Sequence, residues 1–450
     1  MTNLAVLLGA LFFLTCLVFV IMHSLSIRRV SLLDWSVLSM GGVYGIGWCV
    51  VAKVTEAGGN PNWENWLLPC KALYHVHTIF ALVLLGAVWF GWLAFGSFKN
   101  THRRVIPRTY SGNDISQLLK AMWFLLIISF ITQWYYVQAY GGFFDILTYS
   151  RAIRSGIFPI KNQFSFLKPF GGLALFASYG FFGLLLAQYR HKTVWVGLIL
   201  SILFSLYILY SWMGRIGFLT YLITFVLGAF LYRKPRPLTL LLFGSIAMFI
   251  MLLGAYSVSI WFNLKPADNL AFFLARELSF PFGSFFGQLD FGGNMFRWFK
   301  DILIAPVYLL PSSLWSNWVD NVGQVNTALI MGAPKGVRGV TGAVPVDLLT
   351  LGFMQASVFG VAVVGFLFGG FLRFIHYLLD KVVNPGLRAV FEAHVAIKIA
   401  VLGVFYAQPS LFVSGNFALF ITVLVIMLFL KTPRIIKSRK LKIGDNWGRS

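Results

Sequence analysis

Long apolar runs constrain the fold of this chain more than any other feature. A helix of about 20 apolar residues crosses the roughly 30 Å hydrocarbon core of a bilayer. With 58% hydrophobic and 11% charged residues, the chain carries more apolar surface than one soluble core can bury. We therefore predict an all-α integral membrane protein with eleven transmembrane helices, at 4–26, 33–53, 73–97, 118–138, 170–188, 193–212, 216–232, 238–262, 346–372, 393–408 and 416–431.

Basic residues are divided unevenly between the two alternating sets of loops. One set, with the C-terminal tail, holds 22 of the 36 Lys and Arg residues and five of the 14 acidic residues. The other set holds 13 basic and nine acidic residues. Because Lys and Arg collect on the cytoplasmic side, we expect the N-terminus outside and the C-terminus inside. The net charge of +22 then follows from membrane topology and does not indicate nucleic acid.

Six segments follow from this topology. They are transmembrane helices 1–4 at 1–138, an outer Arg-bearing loop at 139–169, helices 5–8 at 170–262, a large outer loop at 263–345, helices 9–11 at 346–431, and a basic cytoplasmic tail at 432–450. Two stretches of the large loop, NLAFFLARELSFPFGSFFGQL and NMFRWFKDILIAPVYLLPSSLW, have amphipathic helical spacing. We expect them to lie on the outer membrane–water interface or to dip back between helices.

The outer loops carry arginines that the positive-inside rule does not explain. They are Arg151, Arg154, Arg215, Arg276, Arg297 and Arg338. A guanidinium group matches phosphate oxygens and stays charged near lipid, so this set indicates an anion site that suits a lipid-linked diphosphate. Binding to lipid headgroups, or ion pairing with nearby acids, is the alternative. Arg215, between two apolar runs, is either functional or an anchor that snorkels to the interface.

Three outer carboxylates are candidate catalytic groups. Glu277 stands beside Arg276 on one amphipathic segment, where it is either a general base for a substrate hydroxyl or a member of a structural ion pair. Asp290 and Asp347 rank behind it. Asp347 follows VTGAVPV at the mouth of a predicted span, so we expect it to face the outer cavity.

Metal-binding patterns are weak. His75 and His77 are two residues apart, so one helix face cannot present both as metal ligands, and a place in the core or at the interface is the simpler interpretation. Glu56 and Glu64 are too far apart in sequence for a close acidic pair. We therefore expect neither a catalytic metal nor another cofactor.

A combination of stretches resembles the bacterial O-antigen polymerases of the Wzy type, including those of enterobacterial common antigen. The stretches are YGGFFDILTYSRAIRSG, SWMGRIGFLTYL, LARELSFPFGSF, APVYLLPSSLWSNW and VPVDLLTLGFMQASVFGVAVVG. They cover roughly the middle half of the chain, and the topology matches over the rest. The family varies greatly in sequence, so the combination carries the resemblance and no single motif does.

The resemblance implies a GT-C-like glycosyltransferase of polysaccharide and lipopolysaccharide biosynthesis in the bacterial inner membrane. Such an enzyme transfers a growing glycan from one polyprenyl (undecaprenyl) diphosphate carrier to the non-reducing end of a new lipid-linked unit, at the periplasmic face. Arg215 and Arg276 would bind diphosphate. The implied partners are polyprenyl-diphosphate-linked oligosaccharides and the lipid bilayer; the sequence does not show whether a chain-length-regulating co-polymerase binds.

Two other functions stay open at this point. A flippase or transporter of lipid-linked sugars usually shows paired halves and mid-membrane charges, whereas only Lys398 lies deep in a predicted span. An O-antigen ligase uses a His in its large loop, and the loop 263–345 contains none.

Overall fold

The structure of the protein is a computed structural model. It describes residues 2–57, 73–96, 112–155, 160–212, 215–261, 270–291, 296–310, 314–316, 318–340, 342–382 and 384–430. Every regular element within these ranges is helical. The basic tail 432–450 and much of the loop between the third and fourth predicted spans lie outside the described residues.

The helices are named here in chain order. They are α1 (Thr2–Ile27), α2 (Leu32–Met40), α3 (Trp48–Glu56), α4 (Tyr74–Ala94), α5 (Gly112–Gln138), α6 (Asp145–Ser155), α7 (Leu173–Leu186), α8 (Lys192–Ser211), α9 (Arg215–Tyr232), α10 (Pro237–Trp261), α11 (Leu270–Leu278), α12 (Phe280–Phe291), α13 (Lys300–Leu303), α14 (Val322–Met331), α15 (Leu348–Asp380), α16 (Pro385–Val395), α17 (Leu402–Phe405), α18 (Pro409–Gly415) and α19 (Phe417–Phe429).

The described residues form a multi-pass membrane protein. Seven helical segments are long and apolar enough to cross a bilayer, and there are eight if the pair α18 and α19, bent by 43°, is one span. The seven are Asn3–Ile27, Leu32–Glu56, Tyr74–Ala94, Asp114–Gln138, Ser165–Leu186, Lys192–Ser211 and Leu348–Asp380. All-α, multi-span architecture is therefore confirmed, whereas the count of eleven is not.

Three predicted spans are helical but fall outside this set. The span predicted at 216–232 is an apolar helix of 17 residues, which rises only about 26 Å. Within α10, the apolar helix that the structure describes is Pro237–Ile246, which is shorter than a membrane span. The span predicted at 393–408 is divided among α16, a π-helical stretch and α17, which ends at Phe405.

In the described part of the chain, two π-helical segments interrupt the bundle, and the second of them packs against α2. Gly41–Gly47 connects α2 to α3, and Ala396–Val401 connects α16 to α17. The hydroxyl of Ser39, near the end of α2, donates to the carbonyl of Val401 at 2.9 Å. π-Helical segments are uncommon in proteins, and those that occur often lie at functional sites.

The helices α4 and α15 form the most extensive pair and pack side by side through glycines. A Cβ atom at Gly91 would overlap the carbonyl of Phe366, and one at Gly369 would overlap the carbonyl of Val88. Small residues let helix backbones approach closely in membranes, where lipid offers no hydrophobic driving force for association. These contacts hold α15 alongside α4.

The two amphipathic stretches of the large loop differ in their environment. Residues 280–288 of α12 are buried among the other helices, which matches the expectation of a segment that dips back into the bundle. In the second stretch Trp298 and Leu303 are 69% and 77% exposed. Such exposed apolar side chains suit a position on the membrane interface.

Candidate functional site

The first residue of interest, Asp347, caps the N-terminus of α15. Its Oδ2 accepts hydrogen bonds from the hydroxyl of Tyr44 at 2.7 Å and from the backbone N–H groups of Leu349 and Thr350 at 3.1 and 3.4 Å. The side chain is completely buried. The expectation that Asp347 faces an outer cavity is therefore wrong: a carboxylate is retained there because it satisfies helix-end donors.

His77 lies beside this capped helix end in a cage of aromatic rings. The ring centroids lie 4.9–6.1 Å from that of His77 and belong to Tyr44, Trp48, Phe282, Phe285 and Phe286. The interpretation of His77 as a core histidine is thus confirmed. Its two ring nitrogens, the Trp48 indole nitrogen and Asp347 Oδ1 have no hydrogen-bond partner within the described part of the chain. Buried polar atoms usually bind protein groups or ordered water, so these atoms offer places for internal water.

A buried amide network holds the large loop against the start of α15. Asn326 of α14 donates to the Ser284 hydroxyl at 3.0 Å and to the carbonyl of Val344 at 3.2 Å, and it accepts from the Gln288 amide at 3.0 Å. The Gln408 side chain accepts from the backbone N–H of Val346 at 3.2 Å. These bonds fix the positions of α12, α14 and the segment that precedes α15 relative to one another.

The two Arg-bearing loops meet near this end of the bundle. The ammonium group of Lys335, in the large loop, donates to the backbone carbonyl of Arg154 on α6 at 2.7 Å. Burial, and then the positive charge of Arg154, lower the pKa of Lys335. Lys168 is a second positively charged neighbour of Lys335. We call Arg154, Lys168 and Lys335 the cationic cluster.

The other predicted diphosphate ligands are placed as follows. Arg338 is exposed in the same turn as Lys335, with a left-handed backbone at φ 49°. Arg276 is on α11, which packs against α3, and its guanidinium carbon lies 5.6 Å from the ring centroid of Phe273. Arg151 is in α6 and Arg215 begins α9, but their side chains lie outside the described residues. The structure therefore brings Arg154 and the Lys335–Arg338 turn together and puts Arg276 on a separate group of helices.

The two remaining candidate carboxylates are more accessible than Asp347. Glu277 is half-buried on α11 and Asp290 is exposed near the end of α12. Both can therefore reach a ligand that approaches from outside the bundle, which Asp347 cannot do without a rearrangement.

Arg297 has a structural partner. Its guanidinium donates to both oxygens of Asp301, at 2.6 and 2.8 Å, and these hydrogen bonds raise the pKa of Arg297. The amide of Gln355 also donates to Asp301, at 2.9 Å. For Arg297 the alternative reading of the outer arginines, an ion pair with a nearby acid, therefore fits the structure.

This ion pair lies at a break in α15. Ala356 and Ser357 leave helical geometry there, so carbonyl groups before the break need new donors. The backbone N–H groups of Arg297 and Trp298 supply them to Met354 and Gln355 at 2.9 and 3.0 Å.

The charged groups that the structure describes at this end of the bundle are cations and carboxylates. Among the described residues, no group of three or more His, Cys, Asp or Glu side chains is arranged to hold a metal ion. Positive groups can bind an anion, and accessible carboxylates can accept a proton.

Sequence reasoning missed Lys168, Lys335 and the Tyr44–Asp347 contact. The two lysines are basic residues in the loops that are poor in such residues, which is the sequence signal that identifies them. Tyr44 lies in GGVYGIG, a stretch that does not indicate a contact with a residue 303 positions further along the chain. No family model matches this chain, and no curated protein or solved structure matches it either.

Proposed function

We propose that this protein is a polymerase of polyprenyl-diphosphate-linked oligosaccharide repeat units. It would work at the periplasmic face of the bacterial inner membrane as a metal-independent, GT-C-like glycosyltransferase with eleven spans. The N-terminus would be periplasmic and the C-terminus cytoplasmic. The substrates would be lipid-linked oligosaccharides within the bilayer, with a chain-length-regulating co-polymerase as a further partner.

The observation that carries this proposal is the contact between Lys335 and Arg154. It joins two loops that are far apart in sequence and adds Lys168 to the same positive environment. Positive groups held close together repel one another, and an anion bound among them relieves that repulsion. A diphosphate supplies several negative oxygens of the kind that guanidinium and ammonium groups bind.

The reaction requires one bond to form and one to break. A hydroxyl oxygen of the acceptor sugar attacks the anomeric carbon of the donor glycan, and the bond from that carbon to the diphosphate oxygen breaks. The proton of the hydroxyl passes to a carboxylate, for which Glu277 and Asp290 are the accessible candidates. The cationic cluster stabilises the negative charge that develops on the departing diphosphate. Arg215, and Arg276 on its separate group of helices, are the further diphosphate ligands that the resemblance implies.

The test uses the purified full-length protein in detergent with a polyprenyl-diphosphate-linked repeat unit as substrate. We expect Arg154→Gln, Arg215→Ala and Arg276→Ala each to lower the rate of glycan elongation about 10- to 100-fold, as expected for a lost charge-assisted phosphate contact. Arg236→Gln is the matched control, because Arg236 is exposed in the turn between α9 and α10. Normal glycan ladders in all three variants would refute the proposal.

The same assay separates the polymerase from its alternatives. Detergent solution has no compartments, so a flippase or transporter gives no product there. A ligase elongates nothing unless the lipid A core is added as acceptor. Joining of repeat units without lipid A core is the result that supports a polymerase.

A further inference from the structure

A second group of arginines lies at the opposite end of α15 from Asp347. Asp380, the last residue of α15, lies 2.5 Å from Arg388 of α16 and 3.6 Å from Arg29, which follows α1. Arg388 also approaches Glu392 at 3.9 Å. Arg29, Arg388 and Asp380 remain 39%, 33% and 26% exposed. Three separate helical segments therefore bring their charges to one accessible place.

A third arginine completes this group from α15. The guanidinium carbon of Arg373 lies 4.9 Å from the ring centroid of Trp92, near the end of α4. Arg29 and Asp380 are charged neighbours of Arg373. The group, which we call the terminal arginine site, consists of Arg29, Arg373, Arg388, Asp380 and Glu392.

The terminal arginine site contains a buried histidine without a partner. His376 is 2% exposed, and neither of its ring nitrogens makes a hydrogen bond with a described residue. Its charged neighbours are Arg29, Arg373, Arg388 and Asp380. A buried imidazole with two unused nitrogens is costly unless a ligand or water supplies the missing partner. Because His376 lies among the arginines of the site, a ligand that they bind can supply this partner.

The net charge of the terminal arginine site indicates the kind of ligand that it binds. Its guanidinium groups number three and its carboxylates two, so one positive charge is uncompensated. A single phosphodiester carries one negative charge and offers oxygens that match guanidinium forks. The terminal arginine site is thus complementary to one phosphodiester.

The surroundings of the site indicate a lipid. Phe374, on α15 beside Arg373, is 53% exposed, and Leu25 and Ile27 at the end of α1 are 50% and 38% exposed. Apolar side chains next to a basic site at the end of a membrane-spanning helix contact hydrocarbon, while the basic groups meet the headgroup. We propose that the terminal arginine site binds the phosphodiester headgroup of an anionic phospholipid, with His376 donating to a phosphate oxygen.

This site is independent of the glycan chemistry assigned to the other end of the bundle. The test uses the purified full-length protein in detergent, titrated with phosphatidylglycerol or with phosphatidylcholine, and native mass spectrometry reports the bound lipid. We expect phosphatidylglycerol to bind in preference to phosphatidylcholine. Each of Arg29→Gln and Arg373→Gln should weaken phosphatidylglycerol binding about fivefold, the effect typical of one basic residue near an anionic headgroup.

Two further variants separate a built site from general positive charge. Arg190→Gln is the matched control, because Arg190 is exposed between α7 and α8 on the same set of basic loops; it should leave lipid binding unchanged. His376→Leu keeps every charge and should weaken binding, whereas His376→Gln retains a donor and should weaken it less. If the arginine variants do not fold, the His376 pair still tests the site.

Three results would overturn the proposal. Affinity within twofold of wild type in Arg29→Gln, Arg373→Gln and His376→Leu would show that the site does not bind the headgroup. An equal loss in Arg190→Gln would attribute binding to overall charge. Full displacement of the lipid by inorganic phosphate at equal concentration would show that the site binds free phosphate.

Discussion

Asp347 and Tyr44 join two parts of the chain that are about 300 residues apart in sequence. The carboxylate caps α15 and the phenol belongs to the π-helical segment between α2 and α3. In a buried setting this bond matters more than at a surface, because each group left without its partner would lose a hydrogen bond that water cannot replace. The pair therefore fixes the start of α15 against α2 and α3.

This role predicts a difference between two tyrosines. Tyr44→Phe removes the donor to Asp347, and we expect it to lower the free energy of unfolding by about 1–3 kcal/mol. Tyr308→Phe is the matched control, because the buried Tyr308 hydroxyl has no hydrogen-bond partner among the described residues. Its removal should be neutral or stabilising. The measurement is the unfolding midpoint in detergent, and equal midpoints for both variants would contradict the assigned role.

The contacts of individual side chains were harder to predict than the location of the same residues along the helices. The sequence placed Asp347 correctly at the start of a helix, but not its buried cap, because VTGAVPVDLL does not show that Tyr44 is nearby. Arg297 was grouped with the anion-binding arginines, and its partner Asp301 becomes visible only once the segment 296–303 is folded. Contacts of this kind depend on tertiary structure, which hydropathy does not encode.

At the scale of whole elements, the α4–α15 pair is the clearest case of sequence specifying packing. Gly91 and Gly369 lie where the two backbones touch, and a side chain at either would meet a carbonyl group. Gly86, on the same helix as Gly91, has open space where a Cβ would stand. Gly91 is thus needed for close packing of α4 against α15, whereas a larger residue fits at Gly86.

A matched pair of substitutions tests this packing. Gly91→Ala forces α4 away from α15, and we expect it to destabilise the protein by about 1–3 kcal/mol, the usual effect of overpacking. Gly86→Ala gains up to about 1 kcal/mol of helix propensity without a clash. Thermal unfolding in detergent compares them. The packing model fails if Gly91→Ala is as stable as Gly86→Ala.

The sequence predicted where the helices lie better than where they are interrupted. Apolar runs locate the main helices because hydropathy is a local property. The break at Ala356–Ser357 was not predicted, since MQASVFG contains no proline and the bonds from Arg297 and Trp298 come from another part of the chain. The π-helical segments were not predicted for the same reason. They make contacts with distant parts of the chain, such as the hydrogen bond from Ser39 to Val401.

At the scale of the whole molecule, the two ends of α15 differ in character. The Asp347 end carries the cationic cluster and the accessible carboxylates Glu277 and Asp290, whereas the Asp380 end carries the terminal arginine site. The charge distribution in the sequence predicts that the first end lies outside and the second faces the cytoplasm. This assignment also requires an odd number of spans, because the termini then lie on opposite sides.

Cysteine labelling tests this orientation and the number of spans together. After replacement of Cys16, Cys49 and Cys70 by Ala, Val337→Cys lies in the exposed turn beside Lys335, and Arg190→Cys lies between α7 and α8. We expect a membrane-impermeant maleimide to label Val337→Cys in intact spheroplasts and Arg190→Cys only after lysis. An N-terminal epitope should be accessible from outside and a C-terminal one only after lysis. Termini on one side would instead require an even count, such as the eight spans obtained when α18 and α19 are joined, and would refute the eleven-span topology.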